Sequence, residues 1–321
     1  MASRYRVYVT DQVFPDLGIE RGILAQIGAA LTVASGDRDA VLTQVADADA
    51  LLNTYLPLDA RAISRLQHCR VIARYGIGTD NVDVEAARAG GIVVTNVPDY
   101  CVEEVAAHAL SLLLALLRRV PEADALVRGG GWGVQSLRPI QRLSEVSVGL
   151  VGYGRISRRL AEMLRPLGVR LLVHDPYVDR ESAPGVDLVG LEDLLAGSDA
   201  VSLHCPLTEE TRGLIGAEQL ARMREDAILV NTSRGPLVVL GDLLAALRGG
   251  AIRGAGLDVF PEEPPDAALF EGVPGLLLTP HVAYYSEAAI RESERKAATQ
   301  IVKVLSGQPP DYPVAMPEGR R

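Results

Sequence analysis

The chain has 321 residues, 48% hydrophobic and 23% charged, an ordinary globular composition long enough for two domains. A formal net charge of −9 excludes the lysine- and arginine-led phosphate neutralisation on which nucleic-acid binding rests, though not a local pocket for a small anion. Cys69, Cys101 and Cys205 share no metal-type spacing and leave one odd, so neither disulfides nor a metal site is expected and a reducing cytoplasm fits.

"MASRYRVYVT" runs straight into a strand pattern with no room for a signal peptide. In the first third, "RYRVYVT" (4–10), "ADALL" (48–52), "CRVIARY" (69–75) and "GIVVTN" (91–96) read as strands. Helical spacing lies between them at 58–67 and 82–90, the latter closing on a glycine. Such alternation implies parallel strands joined by crossover helices. A longer helix at 101–119 is apolar on most of its circumference and is expected to be buried between domains or subunits. Its longest apolar run, 105–117, is too short to cross a bilayer and contains His108 and Ser111, so no membrane contact is expected. After the loop "RGGGWG" (128–133) a second series begins, with strands at 146–152, 170–175, 199–204, 226–231, 254–259 and 275–279. Six strands with intervening helices make a full doubly wound sheet. A long helix at 286–306 and a Pro-rich tail follow.

The stretch "VSVGLVGYGRIS" places Gly152, Gly154 and Ser157 directly after a strand and before a helix. Gly152 allows the tight turn, Gly154 lets a pyrophosphate approach, and the third position needs only a small residue. Free N–H groups of the helix's first turn, at Arg155 and Ile156, then face the phosphates. Asp175 ends the next strand, where an acid accepts the ribose hydroxyls and repels a 2′-phosphate. The pattern favours NAD over NADP.

Three later motifs each follow a strand, at the carboxyl edge where open α/β sheets place ligands. In "NTSRGPLV", Arg234 offers a guanidinium fork suited to a carboxylate. In "GLDVFPEEPP", Asp258 ends a strand and prolines stiffen the loop that displays Glu262 and Glu263. In "LLLTPHVAYYSE", His281 could trade a proton with a substrate oxygen if a carboxylate fixes its tautomer. An arginine for the acid, a histidine for the proton and a carboxylate behind it, beside NAD, describe a 2-hydroxy acid dehydrogenase.

These motifs, with "HDPY", "LHCPLTEETRGLI" and the earlier "ARYGIGTDNVDVEAARAGGIVVTNVPDY", resemble the D-isomer-specific 2-hydroxyacid dehydrogenase family over roughly residues 45–305. The resemblance implies an α/β protein in which a Rossmann NAD-binding domain is inserted into a flavodoxin-like substrate domain, both doubly wound parallel sheets. The substrate domain would be 1–98 plus 286–321, and the NAD domain 99–285 with a dimerisation helix and loop at about 101–145. It carries over Arg234 as substrate anchor, His281 as acid/base and Glu263 as the histidine's partner. Asp258 would face the nicotinamide carboxamide, and the Ile77 and Gly78 amides would complete a carboxylate cradle. Cys205, after the strand at 199–204, is expected near the cofactor, with Pro206, Thr211 and Thr232.

Within the family the chain is most similar to bacterial members of the C-terminal-binding-protein branch, on "VPDYCVEEVAAHALSLLLALLRR", "HVAYYSE" and Arg74. Tyr284 stands where the animal corepressors have tryptophan, which separates this chain from their substrate preference. Arg74 could be a second anchor for a phosphate or distal carboxylate, or a structural arginine capping the neighbouring loop. Tyr55 could look into the pocket or cover the sheet's edge. His108 reads as a packing residue. The expected activity is reversible hydride transfer between NADH and a small 2-keto acid in a homodimer. The alternative is an NAD(H)-gated dimeric interaction protein with residual activity.

Overall fold

The computed structural model describes residues 4–14 and 16–317. The chain divides into two compact units, Met1–Tyr100 with Ser286–Arg321, and Cys101–Tyr285. No helix among the described residues is long and apolar enough to cross a membrane.

The first unit contains β1 (Tyr5–Val9), α1 (Gly18–Leu24), β2 (Ala29–Val33), α2 (Arg38–Gln44), β3 (Ala50–Asn53), α3 (Ala60–Ser64), β4 (Val71–Arg74), α4 (Val84–Ala89) and β5 (Val93–Thr95). The side chains of Asp37, Asp59 and Asp83 start α2, α3 and α4 by accepting the Ala40, Ala62 and Ala86 amides. The second unit holds α5 (Val102–Leu117), α6 (Val120–Arg128), β6 (Ser147–Val151), α7 (Arg155–Leu164), β7 (Arg170–His174), β8 (Asp187–Leu188), α8 (Leu191–Gly197) and β9 (Ala200–Leu203). It continues through α9 (Ala217–Arg222), β10 (Ile228–Asn231), α10 (Leu240–Arg248), β11 (Gly254–Leu257) and β12 (Leu276–Leu278). The chain then returns to the first unit with α11 (Glu287–Leu305) and β13 (Pro313–Ala315).

The first sheet runs β13-β5-β4-β3-β1-β2, parallel except for β13, which is antiparallel to β5. Its five parallel strands follow the flavodoxin-like order, which reverses between β1 and β3. The second sheet runs β12-β11-β10-β9-β6-β7-β8, the Rossmann order with one strand added, and reverses between β6 and β9. It has seven strands rather than the expected six, because the two-residue β8 supplies the outer Rossmann strand beyond β7 while β12 adds a strand at the opposite edge.

The period-two alternation of strands divides the second unit's core between the sheet's two faces. Val148, Leu150, Ile228 and Val230 face α5 and α7, while Val151, Leu229 and Leu257 face the cluster built on Leu194, Leu220 and Leu243. α5 packs Ala106, Ala109, Leu112, Leu113 and Leu116 into the core of its own unit, where Leu112 and Leu116 reach Gly256 of β11.

Candidate active site

At the sheet-order reversal of the second unit, β6 leads into the glycine turn and α7. Gly152 adopts φ +88°, and a Cβ there would lie 2.7 Å from the Cys205 amide nitrogen, so the turn can pass the next strand's exit only as glycine. Gly154 is the N-cap of α7, with no side-chain cap, and a Cβ at this position would meet nothing within 4 Å. That open approach, with uncapped N–H groups at the start of a 10-residue helix, fits a pyrophosphate. Ser157 is fully buried beneath it, as a packing residue. Asp175 follows β7 and ties itself to the turn, accepting the Tyr153 amide at 2.8 Å on one oxygen and the Tyr177 amide at 2.9 Å on the other.

The remaining cofactor candidates sit on the exits of β9 and β10. Burial pushes the Cys205 thiol up to about 11, which leaves it inert as a nucleophile. The hydroxyl of Thr211 donates to the Pro206 carbonyl at 2.7 Å and closes that loop on itself. Thr232 is buried, and its hydroxyl has no hydrogen-bond partner among the described residues.

Arg234 follows β10 and is aimed by Asn231, which sequence reasoning missed. The Asn231 side chain is fully buried, accepts the Ser233 amide at 3.0 Å and donates to the Arg234 carbonyl at 2.8 Å. Gly235 then packs directly on the peptide joining Phe260 to Pro261. This brings the turn that carries Arg234 against the loop that carries Glu263.

Glu263 accepts the Phe260 amide at 2.9 Å on Oε1 and meets His281 Nδ1 at 2.6 Å on Oε2. Partial burial favours the neutral acid, but hydrogen bonds from His281 and the Phe260 amide, with the charges of His281 and Arg234, win and hold the carboxyl below its usual range. Glu263 is thus a carboxylate at neutral pH. The Tyr284 ring lies edge-on to the imidazole, with centroids 6.0 Å apart.

His281 has φ 53°, a left-handed backbone that an L side chain adopts only when its surroundings impose it. Asp258 imposes it. Fully buried at the end of β11, it accepts the Thr279 hydroxyl at 2.6 Å, the Val282 amide at 3.0 Å and the Ala283 amide at 2.9 Å. Its own carbonyl accepts the His281 amide at 2.8 Å. His108 on α5 contacts the Thr279 hydroxyl through Nε2 at 3.0 Å and joins this brace. The carboxylate expected to face a nicotinamide is therefore also the clamp of the histidine's turn.

In the first unit, four successive carbonyls of the 75–78 loop are received inward. Tyr75 O accepts the Ser293 hydroxyl at 2.5 Å, Gly76 O the Val97 amide at 3.1 Å, Ile77 O the Asn96 side chain at 2.7 Å, and Gly78 O the Arg74 guanidinium. The peptides here are trans, so the Ile77 and Gly78 N–H groups point opposite to the carbonyls of Gly76 and Ile77. Two adjacent donors aimed away from the body of the unit suit a carboxylate. Arg74 is 8% exposed and also donates to the Thr54 carbonyl, the arrangement of a loop brace. The amide of Tyr55 is held by Asp11, while the residue as a whole is 44% exposed.

Residues 110–283 match the family model described as "D-isomer specific 2-hydroxyacid dehydrogenase, NAD binding domain". A glyoxylate reductase of Korarchaeum cryptofilum is 42% identical over 279 residues, covering 84% of this chain and 83% of the relative. The chain belongs to the D-isomer specific 2-hydroxyacid dehydrogenase family. The family's D-3-phosphoglycerate dehydrogenase of Mycobacterium tuberculosis is 40% identical over 271 residues, covering 83% of this chain and 50% of that protein. The chain thus spans about half the length of that relative. The crystal structure of the TT0316 protein of Thermus thermophilus is similar at a TM-score of 0.87 and 36% identity, covering 97% of this chain and 100% of that one. In family terms, the second unit is the NAD-binding domain, and its Arg234, Glu263 and His281 stand on three neighbouring exits of one sheet, after β10, β11 and β12.

Proposed function

We propose that the protein is an NAD-dependent D-2-hydroxyacid dehydrogenase that interconverts a small 2-keto acid and its 2-hydroxy acid. The observation that carries this reading is the 2.6 Å contact between His281 Nδ1 and an ionised Glu263. It fixes the imidazole's orientation and leaves proton exchange with the substrate oxygen to Nε2. Arg234 holds the substrate carboxylate and polarises the keto group, and the Ile77 and Gly78 amides receive the carboxylate. When bound, NADH supplies the hydride. Gly152, Gly154, Arg155, Ile156 and Asp175 are the residues that would hold it, with Cys205, Pro206, Thr211, Thr232 and Asp258 nearby.

The test is NADH oxidation, followed by nicotinamide absorbance, against a panel of 2-keto acids with His281→Ala alongside. Turnover should fall by roughly two to four orders of magnitude, the scale of losing a general acid, while NADH still binds. Unchanged turnover in His281→Ala removes that residue from catalysis. Tight NADH binding without turnover on any keto acid would instead favour an NAD(H)-gated interaction protein.

The proposal extends to a homodimer through 101–145, where Trp132 is 90% exposed and Val120, Val127 and Val134 are exposed beside it in sequence. A tryptophan so placed is the usual anchor of a protein interface. Trp132→Ser is expected to shift sedimentation toward the monomer, and an unaltered distribution would place the interface elsewhere.

A further inference from the structure

Behind the 75–78 loop, the first unit buries two carboxyl groups that the proposed reaction does not use. Glu20 of α1 is fully buried, Glu294 of α11 is 6% exposed, and the two helices pack on each other. The Tyr75 hydroxyl donates to Glu20 Oε1 at 2.7 Å, whereas Oε2 is buried with no hydrogen-bond partner among the described residues. Asp16 and Arg21 act on Glu20, Glu287 and Arg291 on Glu294, and Asp11 on Tyr75. Arg21 lends Nη1 to the Leu31 carbonyl at 3.2 Å. Acids outnumber guanidiniums in this cluster, and burial penalises each charge further, so ionising both glutamates there is opposed. Burial first, and then the Glu20 carboxyl, push Glu294 up to about 7.

We infer that Glu20 and Glu294 hold one proton between them, and that this proton positions Tyr75 and the loop presenting the Ile77 and Gly78 amides. Tyr75 is anchored on both helices. Its hydroxyl goes to Glu20 of α1, and its carbonyl to Ser293, the residue before Glu294 on α11. Its ring stands edge-on to Phe14 at 5.1 Å. Loss of the proton places two like charges between the helices that hold the tyrosine. The positioning of substrate rests on the proposed role of the loop, but the shared proton does not.

The experiment compares wild type with Glu294→Gln, which keeps the shape without the charge, at matched pH values. A carboxyl raised in the folded state contributes stability below the usual carboxylate range that is lost as pH rises through about 7. Wild type should therefore lose thermal stability on going from mildly acidic pH, just above the usual carboxylate range, to mildly alkaline pH, while Glu294→Gln should lose less, opening a gap of several degrees. Hydrogen exchange at the Val97 amide, the donor to Gly76, should accelerate in wild type relative to the variant as the loop loosens. Over the same range the variant's keto-acid kcat/KM, divided by that of wild type, should rise by roughly threefold, with NADH affinity equal in both.

A melting gap independent of pH overturns the shared proton. A gap that grows while Val97 exchange and kcat/KM keep constant ratios overturns the positioning. Absence of turnover in wild type sinks the dehydrogenase reading alone, because melting and exchange still decide this one. Should Glu294→Gln not fold, Glu20→Gln makes the same comparison.

Discussion

Gly154→Ala should separate nucleotide binding from stability. Its backbone, at φ −77° and ψ −164°, lies where alanine is comfortable, and a Cβ there meets nothing within 4 Å. Alanine is a poorer N-cap than glycine by up to about 1 kcal/mol, but it reduces unfolded-chain entropy by roughly 0.4–1 kcal/mol, so the two nearly cancel. Melting of the free protein should thus stay within about 2 °C of wild type. The same methyl occupies the open approach to the first amides of α7. Displacing one charge-assisted hydrogen bond costs about 1.5–3 kcal/mol, or roughly 10- to 150-fold in NADH affinity. Titration of NADH fluorescence against both proteins, with melting curves alongside, checks both halves. Wild-type affinity in Gly154→Ala would mean that the pyrophosphate does not sit on this turn.

Gly235→Ala is expected to do the reverse. Its methyl would land on the peptide between Phe260 and Pro261, backbone that no side-chain rotation can move aside. Overpacking of this kind costs about 3 kcal/mol, so melting should fall by roughly 6–12 °C, and a melt equal to wild type would discard the contact. Glu263→Gln should lose stability at neutral pH but converge on wild type in acid. A carboxyl held below its usual range contributes stability above that range and loses it as pH falls through its lowered value. Melting curves from neutral pH down to the carboxylate range check this, and a gap that widens in acid would show the carboxyl is not held down by His281 and the Phe260 amide.

Much of this was legible because strand exits carry the chemistry. Arg234, Asp258 and His281 each end or follow an apolar run, and sheet order alone gathers such exits on one edge. Period and turn chemistry located β1, β3–β7, β9–β12 and the long helices. β2 escaped because "AALTV" is an edge strand with only Leu31 buried, so its sequence lacks a continuous apolar run. β8 and β13 are two and three residues long, too short to show a period. What periodicity does not encode is the bracing between distant segments. The Asn96 and Ser293 bonds into the 75–78 loop, the His108–Thr279–Asp258 brace and the Glu20–Tyr75–Glu294 cluster join segments whose meeting depends on the finished fold. For Arg74 the sequence left two readings open, and burial with two backbone carbonyls as acceptors gives it the brace geometry.

The division of the first unit between the two ends of the chain also sets an order of events during synthesis. All strands of the seven-stranded sheet lie between Ser147 and Leu278, so that sheet has every partner it needs once this stretch has left the ribosome. The earlier sheet emerges before it yet must wait, because α11 packs on β4, and β13 pairs with β5, only after residues 287–315 appear. Until then β5 has an open edge and β4 an uncovered apolar face. The earlier segment is thus completed after the later one, and the nascent chain is exposed to aggregation in that interval.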